Sequence, residues 1–208
     1  MNKTVKFIIG VLAIIMVGYL SLDIEKLDKY KAANKDTSFD ATEYANLFWE
    51  NQLTDCIENA PDIKVITKQL EQNPEVAFEK YTHKLGISKT HYLILHGSGI
   101  ISSVDEEFLL VRTDDDTLVE LATEFIFGNS LRDGSGKVDI NQFVNMTDFN
   151  NVSVALNKLV KEKVVSRLKR SAKAGMRIEF AGATEINEEN ADLTQFRVIP
   201  ISANLSDE

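Results

Sequence analysis

From Phe7 to Leu22 the chain reads FIIGVLAIIMVGYLSL, 16 residues without a charge, between the basic start MNKTVK and Asp23. As a helix this stretch spans about 24 Å, at roughly 1.5 Å per residue. A hydrocarbon core is about 30 Å thick, but Lys6 can reach outward and a bilayer thins to match. The basic end predicts an amino terminus held in the cytoplasm and a remainder placed outside it. A cleaved signal peptide has a similar apolar stretch but ends on small residues. Tyr19 and Leu20 stand where those residues belong. Residues 1–22 are therefore expected to be an uncleaved signal-anchor or transmembrane helix, with the protein in the inner membrane and its domain periplasmic or otherwise extracytoplasmic.

Residues 23–38, DIEKLDKYKAANKDTS, are charged and weakly helical, and predict a stalk. The remainder, 39–208, reads as a single extracytoplasmic domain. Within it, Tyr44, Ala45, Phe48, Trp49, Leu53, Cys56 and Ile57 recur at helical steps up to Pro61. Ile63, Ile66 and Leu70 predict a second helix. Asn73-Pro74 opens a third, with asparagine as cap and proline in the first turn. These helices fill residues 39–83. From Lys89 the period becomes that of strands: HYLILHGSGIISSV, EEFLLVRT, a TDDDT turn, then TLVELATEFIF. KVDINQFVNM reads as a fourth strand. A long helix follows, striped by Val152, Leu156, Leu159, Val160, Val164 and Leu168, capped at Asn150 or Asn151 and ended by Gly175. MRIEFAGATEI and QFRVIPISANL close the chain as two strands around the loop NEENADLT. This order predicts an α+β fold: helices, then a small antiparallel OB-like barrel over residues 89–205 with one long helix between strands.

Of the 208 residues 44% are hydrophobic and 26% charged, as in an ordinary globular protein, and the net charge is −9. That balance disfavours nucleic acid as a partner. One cysteine, Cys56, permits neither an internal disulfide nor a zinc cluster, and three histidines limit acid–base and metal chemistry. No cofactor and no metal site is expected.

GNSLRDGSGKVDINQF, residues 128–143, resembles part of a calcium loop. With Gly136 as the turn glycine, Asp133 and Ser135 take the third and fifth positions. The first position then falls on Leu131 and the twelfth on Gln142, so neither supplies a carboxylate. The stretch is expected to be a glycine-rich turn between strands. His91 and His96 lie on opposite faces of their strand, because their spacing is odd. HGSGI lacks the spacing of a nucleophile elbow, and its glycines suit a strand bend. Lys158 to Arg177 carries eight basic residues, read as a solvated face countered by the protein's own acids.

Taken whole, FDATEYANLFWENQL, NPEVAFEKY, HGSGIISSVD, FGNSLRDG, INQFVNMTDFNNVSVALNKLV, RIEFAGA and FRVIPISA resemble, in order and spacing, a bacterial family of predicted periplasmic lipoproteins of unknown function. The family's G-x-x-x-RD motif, phenylalanine-rich stretch, asparagine and A-x-LN helix start match Gly128, Arg132, Asp133, Phe143, Asn145, Ala155, Leu156 and Asn157, over about 165 residues. The resemblance implies a setting near sugar ABC transporters and carries over no catalytic residue. One departure stands out: a lipoprotein needs a cysteine after its signal, and Met16-Val17-Gly18 is followed by Tyr19.

The expected function is a membrane-tethered extracytoplasmic binding or accessory protein, with a transport-system protein or a small solute as partner. Arg132, Asp133 and Asn145 are its candidate binding residues. They stand against a structural role in which the planar fork of Arg132 fixes the local turn. The alternatives are an envelope hydrolase using a carboxylate pair such as Asp133 with Glu179, or a purely structural envelope protein.

Overall fold

A computed structural model describes Phe7 and residues 39–206. The expected anchor and stalk therefore lie outside the described residues. Among the described residues no helix is long and apolar enough to cross a membrane.

Four short helices open the body: α1 (Ala41–Asn51), α2 (Leu53–Glu58), α3 (Ile63–Gln72) and α4 (Pro74–Tyr81). Asp40 caps α1 by accepting from the amides of Thr42 and Glu43, and Asn73 caps α4 by accepting from Val76. The single first helix of the sequence reading is broken at Gln52, which ends α1 and precedes α2. The apolar stripe continues through the break, so Phe48, Leu53 and Cys56 are all buried.

Strands β1 (Thr90–Val104), β2 (Phe108–Thr113), β3 (Leu118–Ala122), β4 (Arg177–Asn187) and β5 (Gln195–Ser206) close into a barrel in the order β1-β2-β3-β5-β4. One expectation is corrected: β3 and β5 pair in parallel, so the barrel is mixed and not antiparallel throughout. The helices between β3 and β4 bring the chain back to the same side, and that return makes the parallel pair possible.

β1 is long because it serves two partners. Thr90 to Ile100 pairs with β4, and Gly99 to Val104 pairs with β2. The handover falls at Gly97-Ser98-Gly99, where the strand must coil tightly. A Cβ at Gly99 would lie 2.3 Å from the carbonyl oxygen of Arg112, and one at Gly97 would lie 2.9 Å from Ile63 Cγ2. Inward residues Leu93, Leu95, Ile101, Val111, Leu121, Phe180 and Val198 join Ile63, Ile66 and Phe78 of the helices in one core.

Three further expectations fail between β3 and β4: the KVDINQFVNM strand, the turn over 128–143 and the cap at Asn150 or Asn151. KVDINQFVNM is not a strand: Ile140–Gln142 forms a single 3-10 turn, and Met146 already belongs to a helix. Val138 and Ile140 alternate, but Asp139 accepts from the amide of Asn141 and turns the backbone. Residues 128–143 are also not a turn between strands, since Ser130–Gly134 is a short helix, α5. The long helix starts earlier than its apolar stripe suggested. α6 (Met146–Val160) is capped by Asn145, runs into a π turn over Lys161–Val165 and ends as α7 (Ser166–Ser171).

Replacing Gly99 with alanine is expected to destabilise the body by about 1–3 kcal/mol, as overpacking does. Urea unfolding of Gly99→Ala against the wild type measures it, and equal midpoints would refute the close approach at the handover.

Candidate functional site

A recess lies beside the β4–β5 hairpin. It is a cleft of about 460 Å³. One wall is the hairpin itself, with Glu185 and Asn187 from β4, Gln195 and Arg197 from β5, and the loop at Asn190–Asp192. The other wall is the connection leaving β3, with Phe125, Phe127 and Ser130.

That connection is shaped by local hydrogen bonds. Thr123 ends β3 by donating from its amide and its hydroxyl to the carbonyls of Glu107 and Glu106 in the β1–β2 turn. The amide of Ile126 donates to the Glu124 carbonyl two residues back, a tight turn that buries Ile126. Phe125 and Phe127 are left 50% and 69% exposed. Large apolar side chains exposed together mark a binding surface more than a folding need. Gly128 then takes φ +88°, a left-handed conformation that favours glycine, and its carbonyl accepts from Asn157 Nδ2 at 2.9 Å.

The hairpin wall is polar. Ser130 Oγ donates to Glu185 at 3.4 Å across the cleft, and Gln195 donates to Glu120 at 2.6 Å. Asp192 accepts from both the hydroxyl and the amide of Thr194, which hold its carboxyl below the usual range. It is thus a fixed acceptor and no proton donor near neutral pH. Glu188, at the loop's base, accepts from His91 Nε2 at 3.0 Å and is held low by that bond first. His91 is buried, and its Nδ1 lies 2.7 Å from Thr82 Oγ1.

Arg132 and Asp133 sit behind the second wall, not in the cleft. Both are buried, at 1% and 6% exposure. Nε and Nη2 of Arg132 donate to the two oxygens of Asp133 at 2.6 and 3.0 Å. Nη1 donates to the carbonyl of Phe149 and to Asn150 Oδ1 at 3.1 and 3.2 Å. The guanidinium carbon lies 3.5 Å from the centre of the Phe149 ring. The pair thereby ties α5 to α6 and sets Ser130, the first residue of α5, at the cleft. Asn145 is apart from the pair: it is exposed, and its amide accepts from the Asp148 amide and donates to the Asp148 carboxylate.

With both Asp133 oxygens taken by Arg132, no free carboxylate remains there to pair with Glu179. Glu179 instead lines a separate recess with His96 and Asp62. The three adjacent aspartates go to local partners: Asp114 to Arg177 and Ser98, Asp115 to Thr113 and Thr117, and Asp116 to Arg112 at φ +65°. The basic helix is partly countered as expected, with Lys169 paired to Glu124 and Lys158 to Glu162.

A family model described as predicted periplasmic lipoprotein matches residues 12–204. The chain belongs to that family. Its members are of unknown function, and the assignment puts this chain outside the cytoplasm. The crystal structure of an OB-fold protein from Thermotoga maritima is similar in fold, at 24% identity and a TM-score of 0.72, covering 82% of this chain and 100% of that one. No curated protein matches.

Several of the matching motif residues hold the elements behind the cleft in place. Gly128 and Asn157 close the cleft connection onto α6. Arg132 and Asp133 lock α5. Phe143 packs between Tyr44 and Phe149, with ring centres 5.6 and 5.3 Å apart. The cleft residues carry little signal in the sequence, because the apolar run EFIF has the pattern of a strand although β3 ends at Ala122. The available signal was Gly128 directly after Phe127, which stops a strand and leaves two phenylalanines one step either side of Ile126.

Replacing Arg132 with methionine strands the Asp133 charge and is expected to lower stability by about 3–5 kcal/mol. Adding Asp133→Leu should recover much of that loss. Chemical unfolding of the two single variants and the double variant checks this, and additive effects would deny the coupling. A pH effect follows from Glu188. Its folded pKa is depressed below the ordinary 4.5, so its contribution is full above that value and is lost as pH falls through the folded pKa. Hydrogen exchange of amides 188–194 should rise over that acidic window, and Glu188→Gln should raise it already at neutral pH.

Proposed function

We propose that the body is a non-catalytic, solute-binding module acting outside the cytoplasm, and that its cleft takes a polyhydroxylated small molecule of the sugar class. One observation carries the reading: two exposed phenylalanine rings flank a recess whose opposite wall presents Glu185, Asn187, Asn190, Asp192, Gln195 and Arg197. Sugars offer flat C–H faces that pack on aromatic rings and hydroxyls that both donate and accept. The wall holds both complements, carboxylate acceptors and guanidinium and amide donors. A volume of about 460 Å³ falls in the range of small-molecule sites, roughly 300–1,000 Å³. Glu185 reaches Ser130 across the cleft, so a bound hydroxyl can replace Ser130 on the carboxylate without leaving it unpaired.

The reading agrees with the transport setting that the family resemblance implies, in which a tethered accessory protein would hold solute near a carrier. The hydrolase reading loses its named acid, because Asp133 is committed to Arg132.

Full-length protein in an uncharged detergent, titrated calorimetrically with a panel of mono- and disaccharides, is expected to release or absorb heat with at least one of them. Phe127→Ala should weaken that binding about tenfold, the equivalent of about 1.4 kcal/mol for one lost ring contact. Heat from no sugar, or an unchanged affinity in Phe127→Ala, would overturn the proposal.

A further inference from the structure

A second groove lies on the other side of Phe127 and Gly128, against α6. It encloses about 410 Å³ between the connection at Ile126–Asn129 and α6 residues Asn150, Ser153, Val154, Asn157, Lys158 and Lys161. Its walls differ from those of the cleft. There are no carboxylates among its lining residues.

Ser153 supplies the independent observation. It is 5% exposed, and its hydroxyl oxygen has no hydrogen-bond partner among the described residues. A mid-helix serine ordinarily bonds the carbonyl one turn back, and a buried polar atom without a partner requires an explanation. The neighbouring lining groups are committed in a way that leaves donors unspent. Asn150 gives its Oδ1 to Arg132, so its NH₂ is the part left to donate. Asn157 spends one N–H on the Gly128 carbonyl and keeps the other. Asn150, Ser153 and Asn157 fall on one face of α6, three and four residues apart. Lys158 and Lys161 follow on the same side. Lys158 has a loose exposed partner in Glu162 at 3.8 Å, and Lys161 acts on Glu124 only through space. Phe127 and Val154, 69% and 68% exposed, form the apolar walls.

We propose that this groove binds a phosphoryl group carried on an apolar body. A hydroxyl, two amide donors and two ammonium groups exceed what one carboxylate can accept, and they match the several oxygens of a phosphate. The exposed Phe127 ring and Val154 take the apolar part. Two sources supply this chemistry: a phospholipid headgroup from the adjacent membrane, or a soluble phosphate ester.

The test uses full-length protein in uncharged detergent, followed by amide NMR, with three probes: inorganic phosphate, dihexanoyl phosphatidic acid and glycerol. Both phosphate-bearing probes are expected to shift the Phe127–Asn129 amides and the side-chain amides of Asn150 and Asn157, and glycerol is not. Tighter binding of the lipid by about tenfold or more identifies a lipid source; equal binding identifies a soluble ester; either supports the site. Lys158→Gln with Lys161→Gln should weaken both about tenfold or more, since one charge-assisted contact contributes about 1.4 kcal/mol or above. Both lysines are exposed, so the variant is expected to fold, and an unchanged NMR spectrum elsewhere confirms it. No shift with either phosphate probe, or shifts that survive the double replacement, would overturn the proposal. Cleft amides in the hairpin are far enough in sequence to report separately, so failure here and failure of sugar binding are distinguishable.

Discussion

The buried ion pair of Arg132 and Asp133 is the constraint on which the rest of the molecule's working surface depends. Two opposite charges have been taken out of water next to each other, and neither is tolerable there alone. They are kept by geometry: the guanidinium fork meets both carboxylate oxygens, its remaining edge meets the Phe149 carbonyl and Asn150, and its face lies on the Phe149 ring. Such a pair adds little net stability over a well-packed apolar pair, but it accepts only one arrangement of its neighbours. It therefore specifies where α5 sits relative to α6.

That placement propagates outward through short links. α5 presses on β1 so closely that a Cβ at Gly134 would lie 3.0 Å from the backbone of Leu93. Ser130 is delivered to Glu185, and Gly128 to Asn157. Between them the connection after β3 has no sheet partner of its own, yet it is pinned at both ends, by Thr123 at the β1–β2 turn and by Gly128 at α6. A pinned segment of this kind can hold Phe125 and Phe127 in water without collapsing them onto the core. The cleft and the groove are the two sides of that single segment.

Much of this was legible in the residues. The Asn73-Pro74 helix start, the TDDDT turn, the loop before Gln195 and the order of strands, helix and closing strands all appear where local chemistry puts them, since caps, turns and period-2 alternation act over a few residues. The Arg132-Asp133 pairing was also foreseeable, because a planar fork beside a carboxylate favours two-point bonding. Its partners were not foreseeable: Phe149 and Asn150 come from a helix whose start was misplaced. Asn145, the third candidate binding residue, stands at the surface as that helix's cap.

By itself, the sequence determined the class of the body, the positions of most of its helices and strands, and membership of an extracytoplasmic family, because these depend on periodicity, caps and motif spacing within short windows. Only the tertiary structure decided that β3 lies parallel to β5, that KVDINQFVNM gives up its strand-like alternation, and that Phe125 and Phe127 face solvent across from a polar hairpin. The first is a contact between residues far apart in the chain, made by the closing of the barrel. The other two turn on short-range hydrogen bonds, Asn141 to Asp139 and Ile126 to Glu124, in segments that the barrel leaves outside its sheet.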